Sequence, residues 1–205
     1  MKLREALVVQ RNVLFSDKYF QGFLQSHEHD FISVILREHG YHERGDVLED
    51  NDTLQQIIPY VWIVNPVKKE VFAYRRAANE AYREKRLRNK WSCGLGGHIE
   101  REDGGNPIEA AMMRELMEEV HMSLYPQPHI IGYLNDDSDD VGRVHFGVVA
   151  IAETTERVKK GDDEMAECRF YSVQELEALF AHPENEIEAW TRLSWPWVRE
   201  YLLGK

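Results

Sequence analysis

"RELMEEV", residues 114–120, sets three carboxylates and a guanidinium within one short stretch. A helix turns about 100° per residue, so Glu115, Glu118 and Glu119, spaced i, i+3 and i+4, share one face with Arg114 at its edge. The same wheel sends Ala110, Met113, Met117 and Val120 to the opposite side, an apolar stripe expected to pack on a core. Two like charges roughly 6 Å apart repel by about 3 kcal/mol at an effective dielectric near 20, and by far less when fully solvated. From this stretch alone two readings stand. One is a solvated acidic face; the other is a cluster holding a hard divalent cation through carboxylate oxygens, the donors Mg²⁺ and Mn²⁺ prefer.

The residues upstream decide between them. In "GLGGHIEREDGGNPIEAAMM", residues 94–113, a glycine-dense loop runs directly into the helix. Asn106 is a good N-cap, Pro107 fits the first helical position, and Glu109, three residues after the cap, completes a capping box. The helix is therefore expected to start at Pro107.

A glycine loop followed by a three-carboxylate helix resembles the Nudix box of the Nudix hydrolases. The matching residues are Gly96-Gly97-His98-Ile99-Glu100 and Arg114-Glu115-Leu116-Met117-Glu118-Glu119-Val120-His121-Met122. Two departures accompany the match. The interval from Gly97 to Arg114 is three residues longer than the family's, the excess falling in "REDGGN", where Glu102 or Asp103 could replace the family's intervening Glu. His121 stands where the family closes the helix with glycine, so it is expected to take the left-handed conformation at some cost.

The resemblance implies that Glu115, Glu118 and Glu119 bind Mg²⁺ or Mn²⁺ or activate water, that Arg114 orients a ligand carboxylate, and that the Gly96 carbonyl is a further ligand. It also implies one more carboxylate from a later loop, for which Glu164 in "KKGDDEMAE" is the candidate. The expected activity is metal-dependent cleavage of a diphosphate linkage in a nucleoside diphosphate-linked or related small molecule. Two alternatives belong to the same fold. Isopentenyl diphosphate isomerases use a cysteine before the helix, where Cys93 stands, and Nudix-like sensors bind without turnover, though these tend to lose box carboxylates that are intact here.

Composition agrees with a soluble catalyst: 205 residues with 43% hydrophobic and 30% charged content can bury a real core. No apolar run spans a bilayer, "MKLREALVVQ" lacks a signal-peptide core, and Cys93 and Cys168 give no disulfide framework, so a cytoplasmic location is expected. The net charge of -11 argues against general nucleic-acid binding. The expected partner is a small-molecule diphosphate, with no membrane; a homodimer is compatible with the sequence. Against this acidic background, residues 75–91 carry Arg75, Arg76, Arg83, Lys85, Arg86, Arg88 and Lys90 against Glu80 and Glu84. The island reads either as a solvated helix or as a phosphate-binding surface, and in the second reading Arg88 and Lys90, nearest the glycine loop, meet the substrate.

Periodicity gives strands covered by helices, an α/β fold, and the resemblance implies that it is a Nudix-type α/β/α sandwich with a mixed β-sheet and two extensions. "YVWIVNP" and "EVFAYRRA" read as a hairpin, "KWSCGLGGHIE" as a strand entering the loop, and "HIIGYLND", "RVHFGVVAIAE" and "ECRFYS" as later strands before the helix "VQELEALFAH". The expected partition is an N-terminal extension at 1–57, a Nudix hydrolase domain at 58–182 and a C-terminal helical segment at 183–205. In the extension, "EALVVQRNVLF" reads as a strand and "HDFISVILREHG" as an amphipathic helix burying Phe31, Ile35 and Leu36. "HEHD", residues 27–30, matches no ligand spacing and reads as surface. The tryptophan-rich C-terminus reads as a helix pair broken near Pro196.

Overall fold

The hairpin that anchors the fold is built as its sequence dictates: β-branched and aromatic residues in alternation, interrupted by a turn after Asn65-Pro66. Strand β4 (Leu54–Asn65) and strand β5 (Glu70–Arg76) pair antiparallel, with Val64 opposite Val71, in a computed structural model that describes residues 4–78, 87–161 and 163–204. Asn65 Oδ1 accepts the Lys68 N–H at 3.0 Å, and Lys69 adopts the left-handed conformation at φ 56° to complete the turn. The architecture is α/β with a mixed β-sheet, as the sequence reading expects.

Residues distribute into two compact units, one formed by Met1–Tyr60, Gly96–Met112 and Ile130–Ala150, the other by Val61–Leu95, Met113–His129 and Ile151–Lys205. In the first, strand β1 (Glu5–Gln10) pairs antiparallel with strand β3 (Gly40–Glu43) and with the start of β4, Val8 lying opposite both Gly40 and Gln56. The expected strand "EALVVQRNVLF" thus ends at Gln10 and becomes a one-turn helix, α1 (Arg11–Leu14). Strand β2 (Gly22–Gln25) pairs with strand β9 (His129–Asn135) from Gly22↔Asn135 to Gln25↔Gly132. Helix α2 (Phe31–Glu38) begins at Asp30, whose carboxylate accepts the Ser33 N–H at 3.0 Å, and it buries Phe31 and Ile35 while Leu36 stays half-buried. "HEHD" therefore contributes a helix cap. Phe31 meets Phe15 and Tyr133 edge-on and Phe20 and Phe146 at tilted angles, with ring separations of 5.1 to 6.1 Å. Helix α3 (Asp46–Glu49) anchors itself by Leu48 against Ala6 and Val8.

In the second unit, strand β6 (Trp91–Ser92) pairs with β5, and strand β7 (Gly94–Leu95) pairs with the end of β4. The expected strand through "KWSCGLGGHIE" is accordingly two short strands interrupted at Cys93. Strand β12 (Met165–Ser172) pairs with β5 along its length and passes into helix α5 (Val173–Ala181) through a Ser172–Glu175 capping box.

The C-terminus departs from expectation. Helix α6 (Ala189–Leu203) is one continuous helix with Pro196 inside it, not a broken pair. An interior proline costs about 3 kcal/mol through its lost bond and ring clash. The buried side of the helix offsets this: Trp195 stacks on Trp62 at 6.1 Å, and Ser194 accepts the Trp62 indole N–H at 3.2 Å while donating to Trp190 O at 2.6 Å. Among the described residues, no helix is long and apolar enough to cross a membrane.

Candidate functional site

Helix α4 (Pro107–Glu119) starts where the capping argument places it. Asn106 Oδ1 accepts the Ile108 N–H at 3.2 Å and Asn106 O accepts the Ala110 N–H at 3.0 Å. Glu109 closes the cap by accepting from the Asn106 side-chain amide at 3.0 Å, where the usual box would use the cap's backbone N–H.

The buried face of α4 differs from the one the helical wheel suggests. Ile108, Ala111, Met112, Leu116 and Val120 are the buried apolar residues, while Ala110 and Met113 are half-buried and Met117 is 50% exposed. The larger side chains at 108, 112, 116 and 120, each four residues apart, define the core stripe. Turning the helix this way carries Glu115 to the buried side, 9% exposed, leaving Glu118 exposed and Glu119 half-buried. The three carboxylates therefore sit in three different environments, not on one wet face.

Arg114 compensates the buried one. Its Nη1 donates to Glu115 Oε1 at 2.6 Å and lies 3.4 Å from Glu118 Oε2. A hydrogen bond to an ionised partner contributes about 1.5–3 kcal/mol, and here it also fixes the direction of the Glu115 carboxylate.

The helix ends without the strained residue expected at His121. Val120 and His121 form strand β8, paired antiparallel with strand β11 (Lys159–Lys160), His121 opposite Lys159. Among the described residues, the non-glycine positions with positive φ are Lys69 and Asn89, so His121 is extended. The residue after β11 does what a terminal glycine does elsewhere: Gly161 donates its N–H to Glu119 O at 2.8 Å. A Cβ on Gly161 would lie 2.6 Å from Glu118 O, so the backbone approach requires glycine there.

The same β11 leads into the turn bearing Glu164, whose side chain is exposed and whose carbonyl accepts the Ala77 N–H at 2.7 Å. Gly96 lies in the other unit, where a Cβ would fall 1.8 Å from Pro59 O. Arg88 and Lys90 are half-buried, and Lys90 O accepts the Arg76 N–H at 3.0 Å. Of the rest of the basic island, Arg75 pairs with Glu167 at 2.8 Å and Arg76 with buried Glu188. Arg83, Lys85, Arg86, Glu80 and Glu84 lie outside the described residues.

Cys93 is 1% exposed, with its N–H donated to Thr191 Oγ1 at 3.2 Å. Burial, and then the nearby Glu188 carboxylate, hold its thiol well above the ordinary value, so it is poorly suited to act as a base or nucleophile.

Another group of side chains of metal-ligating type, which no sequence spacing marks, lies in the first unit. One ligand atom each from Glu49, His98 and His145 falls within 4.8 Å of the others. Burial foremost, then the charges of Arg44 and His145, keep His98 well below the usual histidine range and hence neutral.

The profile of the NUDIX domain matches residues 55–193. Protein YmaB of Bacillus subtilis (strain 168) is 31% identical over 198 residues, covering 91% of this chain and 93% of its own. The crystal structure of Tm1382, a proposed Nudix hydrolase, superposes with a TM-score of 0.78 at 25% identity, over 96% of this chain and 99% of that one. The bifunctional NMN adenylyltransferase/ADP-ribose pyrophosphatase of Francisella tularensis, solved with AMP and a manganese ion, shares the fold at a TM-score of 0.52 and 12% identity, over 72% of this chain and 42% of its own. By its box, its fold and this profile match, the chain belongs to the NUDIX family.

Proposed function

We propose that the protein is a metal-dependent pyrophosphohydrolase cleaving a diphosphate linkage in a nucleoside diphosphate-linked or related small molecule. One observation carries the reading: Arg114 bonds the buried Glu115 and reaches Glu118 on the same helix, keeping an acidic group preorganised at its C-terminal end. Three carboxylates against one guanidinium leave this short stretch with an excess of negative charge, and its donors are hard oxygens, which suits Mg²⁺ or Mn²⁺. When bound, such an ion neutralises phosphate charge and lowers the pKa of a coordinated water.

The chain's residues then divide the work. Glu115, held by Arg114, supplies a fixed oxygen ligand; Glu118 and Glu119 complete the set or take the proton of the attacking water; Glu164 offers a further carboxylate from the turn after β11. Arg88 and Lys90 bind the polyanionic end of the substrate. The buried, protonated Cys93 speaks against the isomerase alternative.

The test is a product screen with Mg²⁺ and Mn²⁺ over ADP-ribose, nucleoside triphosphates, dinucleotides, nucleotide sugars and coenzyme A. Hydrolysis of at least one at the diphosphate is expected, abolished by exhaustive chelation and restored by the ion. Undiminished turnover after chelation, or none anywhere in the panel, rejects the proposal.

A further inference from the structure

We infer that Glu49, His98 and His145 form a binding site for a divalent transition-metal ion of the Zn²⁺ class, separate in its ligands from the carboxylates of α4. Two imidazoles and a carboxylate are a donor set that zinc and related first-row ions take up, with a remaining position for water.

The hydrogen-bond partners of the two rings orient them for a ligand. His145 Nδ1 lies 2.6 Å from Val141 O, which can only accept, so Nδ1 carries a proton and, in the neutral ring that a metal binds, the lone pair is on Nε2. His98 Nε2 lies 2.7 Å from Gln56 Oε1. The amide orientation is set by its other end, since Gln56 Nε2 faces Glu49 Oε1 at 3.5 Å and a carboxylate demands a donor. His98 is therefore protonated on Nε2, with its lone pair on Nδ1. Each ring has one N–H tied to an oxygen acceptor, the arrangement that orients histidines in metal sites and raises their basicity.

Gln56 is fully buried and touches both Glu49 and His98, so a single side chain positions two of the three ligands. His98 and His145 are anchored on separate segments, yet their ring centroids lie 5.6 Å apart. Ligands about 2.05 Å from a tetrahedral ion stand roughly 3.3 Å from one another, so a set whose ligand atoms lie within 4.8 Å needs to close by at most about 1.5 Å. Glu49, half-buried on the single-turn helix α3, is the ligand placed to move. The nearby Arg44 charge opposes a cation, and Glu49 supplies the offsetting charge.

The experiment is a Co²⁺ titration of the full chain after chelation and dialysis, followed by visible d–d absorption and proton NMR. The structure predicts two hyperfine-shifted exchangeable imidazole N–H signals, one from each ring. Glu49→Gln and His145→Gln should weaken Co²⁺ binding at least about tenfold, and Gln56→Met about 10- to 100-fold, as loss of an outer partner does. Near-UV circular dichroism identifies any variant that has lost the fold, and the wild-type NMR signals test the site without a variant. A Glu118→Gln, Glu119→Gln double variant should retain both the spectrum and the shifted signals. No shifted imidazole signals in the wild type, wild-type affinity in folded Glu49→Gln and His145→Gln, or loss of the spectrum in the α4 double variant overturns the inference.

Discussion

The end of α4 and the Glu49–His98–His145 group would hold a cation by different means. On α4 the donors are oxygens, one nearly buried, one half-buried and one open to solvent, and a guanidinium sits among them at 2.6 Å from Glu115. In the other group two donors are imidazole nitrogens, orientation comes from Gln56 and a backbone carbonyl, and one carboxylate carries the negative charge. The first arrangement concentrates negative charge where a polyanion and a hard, water-carrying ion can meet. The second spreads little charge and offers directional lone pairs, better suited to an ion that stays in place. The contrast shows why two metal-competent groups in one chain need not compete for the same ion.

The largest expected effect breaks the comparison on the α4 side alone. Glu118→Gln and Glu119→Gln each keep the shape and remove the charge, so kcat on a diphosphate substrate should fall on the order of 100-fold or more. Because Glu118 is exposed, its variant should keep the melting temperature of the parent within a degree or so. A Glu118→Gln enzyme with full turnover would remove that residue from the proposed machinery.

Glu115 should behave differently, because it lies on the buried side and holds Arg114. Glu115→Ala is expected to cost about 1–3 kcal/mol of stability as well as activity, read from denaturant midpoints at constant m-value. Gly161→Ala should likewise damage the helix end from outside, since its Cβ would press on the Glu118 carbonyl. Equal stability of the Glu115 and Glu118 variants would show that the environments do not differ as described.

These contrasts also mark what the sequence could disclose. The start of α4 was readable because an Asn-Pro cap is a local event, decided within four residues. Its buried face was not, since a wheel carries two apolar stripes and only the packed core selects Ile108, Met112 and Leu116 over Ala110, Met113 and Met117. The relaxed His121 depends on pairing with Lys159, far along the chain, which no local propensity reveals. Glu49, His98 and His145 likewise come from three distant segments. Pro196 by itself predicts a break, whereas the Trp62–Trp195 stack that accompanies the continuous helix joins two segments far apart in sequence.

A smaller effect separates thiol chemistry from both regions. Cys93 is fully buried and its thiol is raised well above 9.0, whereas half-buried Cys168 is raised by burial but drawn back by bonding and charge from Lys160. Alkylation at neutral pH, followed by peptide mass spectrometry, should label Cys168 first and leave Cys93 and the diphosphatase activity intact. The sign for stability follows: the unfolded thiol ionises near its ordinary value while buried Cys93 stays protonated, so this contribution is present at neutral pH and lost as pH climbs past about 9. Fast labelling of Cys93 with matching loss of activity would revive the cysteine mechanism.

The smallest effect concerns the basic island, in which Arg88 and Lys90 are proposed to meet the substrate's phosphates. Arg88 and Lys90 flank Asn89, which turns the chain at φ 63° just before β6. If they meet phosphates equally in the ground and transition states, Arg88→Ala and Lys90→Ala should raise KM several-fold with a smaller change in kcat, as loss of uniform binding does. Added salt should weaken substrate binding by the wild type more than by the variants, because screening acts on the charges the variants lack. Steady-state kinetics at two ionic strengths measures both. Unchanged KM together with an unchanged salt response in both variants would remove the two cations from the proposed substrate contact.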